Sequence, residues 1–545
     1  MKHIPIFMKT TKHAISSIIV LITLFLGITA KAEKPLVVKP LIKSRWHQHT
    51  PYNEASPFGS RWGKTPPGCG AVAAGQILNL HRTLKKAYGI KAYYSLNNKN
   101  MGDSMLILKN FDQHKFDWGN IRNNYMFYKH KPDYTERQAK AVADYLSQIG
   151  IAMHTHYNDG GSSSVTNGST LWGLHHHLHL SPKAVVRHRQ NYSTEEWKAL
   201  INEQLKAGKP VYYAATQNYI GNNGKQVRKG HAFIIDGINK DGKYHANYGH
   251  GGNNDKYVDL NIINYYDYEF PGNRHTCYEN SQRMITDFYQ TESDTIYPKR
   301  SVMIEAPIVI NNNQYKNEWV IPKGNRFYFR TEIENYNILR EDIQYTLGVF
   351  KDNELYTILE INAVELPRVG RRAISTLFTM PEELEDGEYE LRLLTRSQAH
   401  PRWVKSIECL PVTMKLNVDK ERTTLTLPPN RTLPSRLYLR EPISEVNVPE
   451  TKGKSFKLAL KNPSDNNFDS HFIIEITVGE EVHSFRLGAS VYSNSEVDYH
   501  ISIPQSALNL DKTDYKIVAK YYEHNNRTYQ TLGLTEPPIH ELRLK

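Results

Sequence analysis

From residue 301 to residue 545 the chain has almost no helical periodicity, and short alternating apolar runs are separated by turn signals. Such a stretch can bury its apolar face only as paired sheets, so the spacing predicts β-sandwich architecture for nearly half of the protein. An internal echo predicts two copies. MPEELEDGEYELRLL (residues 380–394) and IPQSALNLDKTDYKIVAKYY (residues 503–522) both read as a hydrophobic–proline pair, a loop and a tyrosine-containing strand. The proline-rich TLPPNRTLPS (residues 426–435) marks the break, giving expected domains at 301–425 and 435–545.

Upstream the pattern is mixed. Helical spacing is expected over residues 71–84, 135–150 and 193–208, the last opening on a Ser193/Glu196 capping pair. Strand-like runs follow at 211–216, 231–238, 243–248 and 257–263. Helices first and strands later, without βαβ alternation, indicate an α+β domain over residues 33–292. Ahead of it, three lysines, an apolar run over residues 14–28 and Ala30-Lys31-Ala32 read as a secretory signal peptide over residues 1–32. The expected location is secreted, cell-surface or periplasmic, with no membrane-spanning segment. The net charge of +12 includes four leader lysines, leaving about +8 spread along the chain without a dense basic block. That patterning speaks against a nucleic-acid partner.

An exported chain with only three cysteines, Cys69, Cys277 and Cys409, is not a disulfide scaffold. In TPPGCGAVAAGQIL (residues 65–78) one of them stands between two glycines at the start of an expected helix. A helix N-terminus stabilises a thiolate, whereas a small buried hydrophobe is the plain alternative. Two other stretches favour the thiolate. In KGHAFIIDGI, His231 opens an apolar strand; in GKYHANYGHGG, Asn247 ends the next. A hairpin joining them would let an amide hold an imidazole that takes the thiol proton. Gln48, in RWHQHTPYN, could supply an oxyanion donor beside the Cys69 N–H.

Taken together these pieces resemble the streptopain family of papain-like cysteine peptidases. The resemblance lies in W-x-Q-x-x-P-Y-N at residues 46–53, G-C-x-A-x-A-x-x-Q-I at 68–77, P-V-Y-Y at 210–213, G-H-A-F-I-I-D-G at 230–237 and Y-H-x-N-aromatic-G-x-G-G at 244–252. It implies an α+β papain-like cysteine peptidase domain followed by two all-β immunoglobulin-like sandwich domains. It also implies Cys69 as nucleophile, His231 as general base and acid, Gln48 as oxyanion donor and Gly230 as a backbone contact to substrate. Asn247 is the expected orienter of His231. A glycine–serine loop over residues 158–169 is expected beside the cleft, with Ser162 and Ser163 reaching the substrate. Where the family has W-G-W-G-G, this chain has Tyr248-Gly249-His250-Gly251-Gly252, so Tyr248 and His250 are expected to replace two indole walls of the cleft. Only about a dozen residues separate Glu33 from Trp46, so restraint by a long pro-segment is not expected.

The expected partners are polypeptide substrates, with surface association through the C-terminal β domains, and no metal or organic cofactor. His175 and His179 in LHHHLHL stand four apart, but the segment lacks the glutamate and third ligand of a zinc site. Asp236 reads as a structural carboxylate, and GKTPPG (residues 63–68) as the turn that feeds Cys69. The alternative function is a weak or inactive peptidase-fold adhesion protein that binds proteins or glycans.

Overall fold

The computed structural model describes residues 35–535 apart from 60–62, 97–103, 129–130, 159–167, 268–273, 292–301, 336–339, 368–369, 399, 421, 448–451, 511–513 and 524–526. The leader expected over residues 1–32 lies outside the described residues.

Among the described residues four α-helices lie in the N-terminal part. Helix α1 (Cys69–His81) is buried from Gly70 to Asn79, so it is a central helix rather than an amphipathic surface one. Helix α2 (Glu136–Ala152) begins one residue after Thr135, which forms a reciprocal capping box with Gln138. Helix α3 (Gly168–Leu178) lies against the end of α2, where any side chain at Gly173 would meet the Ala152 carbonyl oxygen at 1.9 Å. Helix α4 (Thr194–Lys206) carries the expected Ser193/Glu196 box.

The strands are β1 (Ile90–Leu96) and β2 (Ser104–Asn110), a separate hairpin, then β3 (Val185–His188), β4 (Val211–Ile220), β5 (Gln226–Ile238), β6 (Tyr244–Asn247), β7 (Lys256–Val258) and β8 (Asn280–Thr286). The last six form an antiparallel sheet in the order β3-β8-β4-β5-β6-β7. Alternation along β5 sends Ala232 and Ile234 into a core shared with Val72, Ile77 and Leu146 of α1 and α2. Phe233 and Ile235 go into a second core with Trp197, Ile201 and Leu205 of α4. The sheet is therefore covered on both faces, which explains why its central strand reads as a continuous apolar run. The hairpin β1–β2 and the edge pair β3 and β8 had no clear signal in the sequence.

The remainder is almost entirely β. In its first part, β9 (Arg326–Asn335) pairs with β11 (Arg371–Thr379), while β10 (Glu341–Lys351) pairs with β12 (Gly387–Ser397) in another sheet. In its second part, β13 (Gly453–Asn462) pairs with β16 (Ser495–Pro504). There β14 (Phe468–Val478) pairs with β15 (Glu481–Val491) and β17 (Tyr515–Glu523) in the other sheet. The connectivity repeats, and both echo segments (380–394 and 503–522) fall where the chain crosses from one sheet to its companion. In the second part Phe456, Leu458 and Leu460 on one sheet and Phe472, Ile474 and Ile476 on the other share one core.

This last core also takes in Ile220, at the tip of the β4–β5 hairpin. Around it, Asn218 Nδ2 donates to Gly488 O (2.8 Å), Tyr499 OH donates to Asn280 Oδ1 (2.7 Å) and Thr194 Oγ1 donates to Ser493 O (2.7 Å). Asn467 Nδ2 reaches the carbonyls of Gln190 (2.8 Å) and Tyr192 (2.9 Å). The C-terminal sheets are thus docked on the back of the strand pair that carries His231.

Candidate active site

Gly68 adopts φ +97, a conformation L side chains rarely take, and so turns the chain abruptly into α1. The next residue, Cys69, is the first of the helix, where unpaired N–H groups and the peptide dipoles favour negative charge. Helix α1 packs on β5, whose register places His231 opposite Ala215. The Ala232 N–H points at Cys69 Sγ (3.4 Å), and the thiol is hydrogen-bonded to the His231 side chain. Burial by itself pushes the thiol up. The His231 hydrogen bond and charge, with the N–H groups of Ala232 and Gly70, outweigh it and hold the thiol below its ordinary value.

His231 is 8 % exposed. Its Nε2 lies 2.8 Å from the Tyr248 carbonyl oxygen. A carbonyl only accepts, so Nε2 carries the hydrogen and Nδ1 is left as the acceptor for the thiol proton. The ring is enclosed by Tyr278 (5.4 Å between centroids), His250 (5.0 Å) and Phe233 (6.0 Å).

Residues 46–258 match the Peptidase C10 family. Streptopain of Streptococcus pyogenes is 29 % identical over 259 residues, covering 43 % of this chain and 58 % of the relative. The thiol protease/hemagglutinin PrtT of Porphyromonas gingivalis is 26 % identical over 219 residues, covering 40 % of this chain and 23 % of the relative. The solved structure of active wild-type interpain A cysteine protease from Prevotella intermedia matches 48 % of this chain and 99 % of its own, at 28 % identity and a TM-score of 0.40. The chain therefore spans little more than half the length of the curated streptopain it matches.

Within the matched segment Asn247 makes no hydrogen bond to His231. The register of β5 with β6 sets Asn247 opposite Ile234, three residues further along the strand than His231. Its amide is used elsewhere: Oδ1 accepts from Gln76 Nε2 (3.1 Å) and Gly249 N (3.1 Å), and Nδ2 donates to Ser44 O (3.3 Å). Gln76 Oε1 in turn accepts from Trp46 N (3.2 Å). Asn247 and Gln76 thus lock together the helix bearing Cys69, the segment bearing Gln48 and the turn after β6. Gln76 was missed from sequence, although a glutamine inside the otherwise small and apolar run AVAAGQIL was its signal.

The Tyr248 ring is 1 % exposed and sits in the core with Phe233 (5.3 Å), roughly parallel to the His231 ring (6.4 Å), while its carbonyl contacts His231 Nε2. His250 remains beside His231 but is itself buried, at 8 % exposure. Gly230 is exposed on β5 opposite Thr216, open to an incoming backbone. Gln48 is half-buried and makes no hydrogen bond among the described residues; its segment is tied to the turn after β6 by Gly251 N to Trp46 O (3.0 Å). Ser162 and Ser163 lie outside the described residues.

Asp255 was not foreseen. Its Oδ1 accepts from Tyr248 N (3.0 Å), so it braces the residue whose carbonyl holds His231. Burial raises its carboxyl to about 6. The folded state therefore binds more protons than the unfolded chain between about pH 4 and pH 6, and stability falls as pH rises through that window. Asp255→Asn keeps an acceptor for Tyr248 and cannot ionise. It should be more stable than wild type by roughly 1–3 kcal/mol at about pH 7.5 and equal to it near pH 4. Urea unfolding at the two pH values checks this; an equal offset at both would refute it.

The remaining candidates are structural. Asp236 accepts from Ile42 N (2.8 Å) and pairs with His245 Nδ1 (2.6 Å), fastening the N-terminal segment to the sheet. His175 and His177 are buried and held neutral by that burial, both at about 3, and His179 stacks on Tyr88 (4.1 Å). Among the described residues no group of three or more His, Cys, Asp or Glu could hold a metal ion. Cys69 and Cys409 are both free, the first half-buried and the second buried. No described helix is long and apolar enough to cross a membrane.

Proposed function

We propose that the chain is a secreted or surface-exposed cysteine endopeptidase, with its catalytic domain at residues 33–292. The two β-rich parts, 301–425 and 435–545, are read as immunoglobulin-like sandwiches that present it to polypeptide substrates. The observation that carries the reading is the hydrogen-bonded Cys69–His231 pair at the head of a buried helix.

In this mechanism Nδ1 of His231 takes the Cys69 proton as the thiolate attacks a peptide carbonyl. The Tyr248 carbonyl holds the ring in place and favours the imidazolium that forms. Cys69 N–H and the Gln48 amide receive the oxyanion, and His231 returns its proton to the leaving amine. Water then resolves the acyl-enzyme by the same route. Gly230, lacking a side chain, lets the substrate backbone lie along β5. No step needs a cofactor. The adhesion alternative rested on the loss of two indole walls, and the buried Tyr248 ring removes half of that ground.

The test is hydrolysis of an unfolded polypeptide by the mature chain in reducing buffer. Activity should be abolished when one thiol, mapped to Cys69, is alkylated. A fully reduced protein that hydrolyses no peptide bond, or one whose activity survives labelling of Cys69, would sink the reading. Gln48→Ala should lower kcat roughly 10²–10³-fold with little change in KM, as expected for loss of one oxyanion donor.

A further inference from the structure

Behind the sheet, where the N-terminal part meets both β-rich parts, lies a cavity of about 450 Å³. Its lining includes Arg228, Arg283, Arg371, His188, Gln190 and Asp469. The three arginines come from three separate strands. Arg228 is on β5, Arg283 is on β8 directly opposite His188 of β3, and Arg371 opens β11. One carboxylate shares the lining, that of Asp469, whose Oδ1 accepts from Ser490 Oγ (2.6 Å). Outside the lining, Arg371 bridges Glu305 and Glu334, each at 3.2 Å. Arg228 has neither a hydrogen bond nor an ion pair among the described residues.

Like charges gathered in a partly enclosed space repel, and the neighbouring groups register it. Burial and then the charge of Arg228 hold the Arg283 guanidinium below its usual value. Burial, then Arg283 and Arg371, keep His188 neutral down to about 4. A fold that assembles guanidinium groups in this way stores repulsion that a multivalent anion would relieve. Guanidinium forks match tetrahedral oxyanions in bidentate fashion, and Gln190 adds a neutral donor. The space is larger than a bare ion requires and suits an ion carrying an organic group.

We propose that this junction cavity is a binding site for a phosphate or sulfate group, free or as an ester on a larger molecule, gripped by Arg228 and Arg283 with Arg371 at its rim. Its occupant would bridge the three parts of the chain and stiffen their arrangement. The inference does not depend on the peptidase reading, since binding is read without any turnover.

The experiment follows the thermal midpoint of the full mature chain against inorganic phosphate, inorganic sulfate and a sulfated heparin disaccharide, with chloride holding ionic strength constant. A saturable rise is expected with at least one of them; a response to the inorganic ions identifies a free-anion site, and a response to the disaccharide alone identifies an ester site. Arg228→Gln and Arg283→Gln should each weaken the response by about ten-fold or more. Because Arg228 is exposed and its charge is repelled, Arg228→Gln should melt without ligand at or above the wild-type midpoint. The surface control Lys198→Gln should respond as wild type does. No saturable response to any probe, or an undiminished response in Arg228→Gln, would overturn the proposal.

Discussion

Mature protein carrying Cys69→Ala or His231→Ala should lose peptide hydrolysis by roughly 10⁴-fold or more, and the double variant should lose no more than either single one. Residues that act as one unit are non-additive, because removing either leaves the other without a role. His231→Ala should also differ from wild type in a second measurement. In wild type the thiol should be alkylated below the pH expected of a free cysteine, since His231 is the chief group holding its value down against burial. In His231→Ala that opposition is gone and burial remains. The alkylation midpoint should therefore move to about 8.5 or higher. A profile that stays in place would mean that the helix terminus alone activates the sulfur, and the proton-transfer role of His231 would have to be abandoned.

Arg189→Ala should produce the largest loss of stability. This side chain is 1 % exposed and donates to Leu260 O (2.6 Å), Gln282 Oε1 (2.5 Å) and Asn261 Oδ1. Its guanidinium lies 3.7 Å from the centre of the Tyr492 ring, which belongs to the C-terminal sheets. Tyr492 OH continues the junction to Glu279 O (3.0 Å). Truncation would leave several buried acceptors unpaired and remove a desolvated cation–aromatic contact, together about 3 kcal/mol or more. Arg189→Lys should rescue little of it, because an ammonium cannot satisfy three divergent acceptors in a plane. Urea unfolding followed by intrinsic fluorescence, with limited proteolysis between residues 426 and 435, would detect early release of the C-terminal sheets. An unchanged first transition would show that the junction is held by other contacts.

Much of the architecture was legible because it rests on local periodicity and capping. Ser193 announced one helix through a capping pair three residues away, residues 135–150 announced another through their spacing, and β4, β5 and β6 were visible as apolar runs between turns. The repeated β connectivity was foreshadowed by a proline-marked crossover occurring twice. The hairpin β1–β2 and the strands β3 and β8 were not, since their partners are remote or their runs too short to establish a period. The expected end of the fourth strand run, at 263, gave way to a strand of three residues, Lys256–Val258.

What the sequence by itself determined is chemical identity and order: one thiol after a glycine that can turn, one histidine opening an apolar strand, one glutamine upstream. Those features are legible because they depend on residue type and near neighbours. Which group holds the imidazole was decided only by tertiary structure. Every residue has a carbonyl, so nothing in the letters distinguishes that of Tyr248 from the amide of Asn247. The β5–β6 register, with its irregularity between Ile235 and Gly237, turns the asparagine toward Gln76 and brings the next peptide group to the histidine. A shift of one residue reverses the direction of every side chain, and that choice is made by packing on both faces of the sheet rather than by the strand itself.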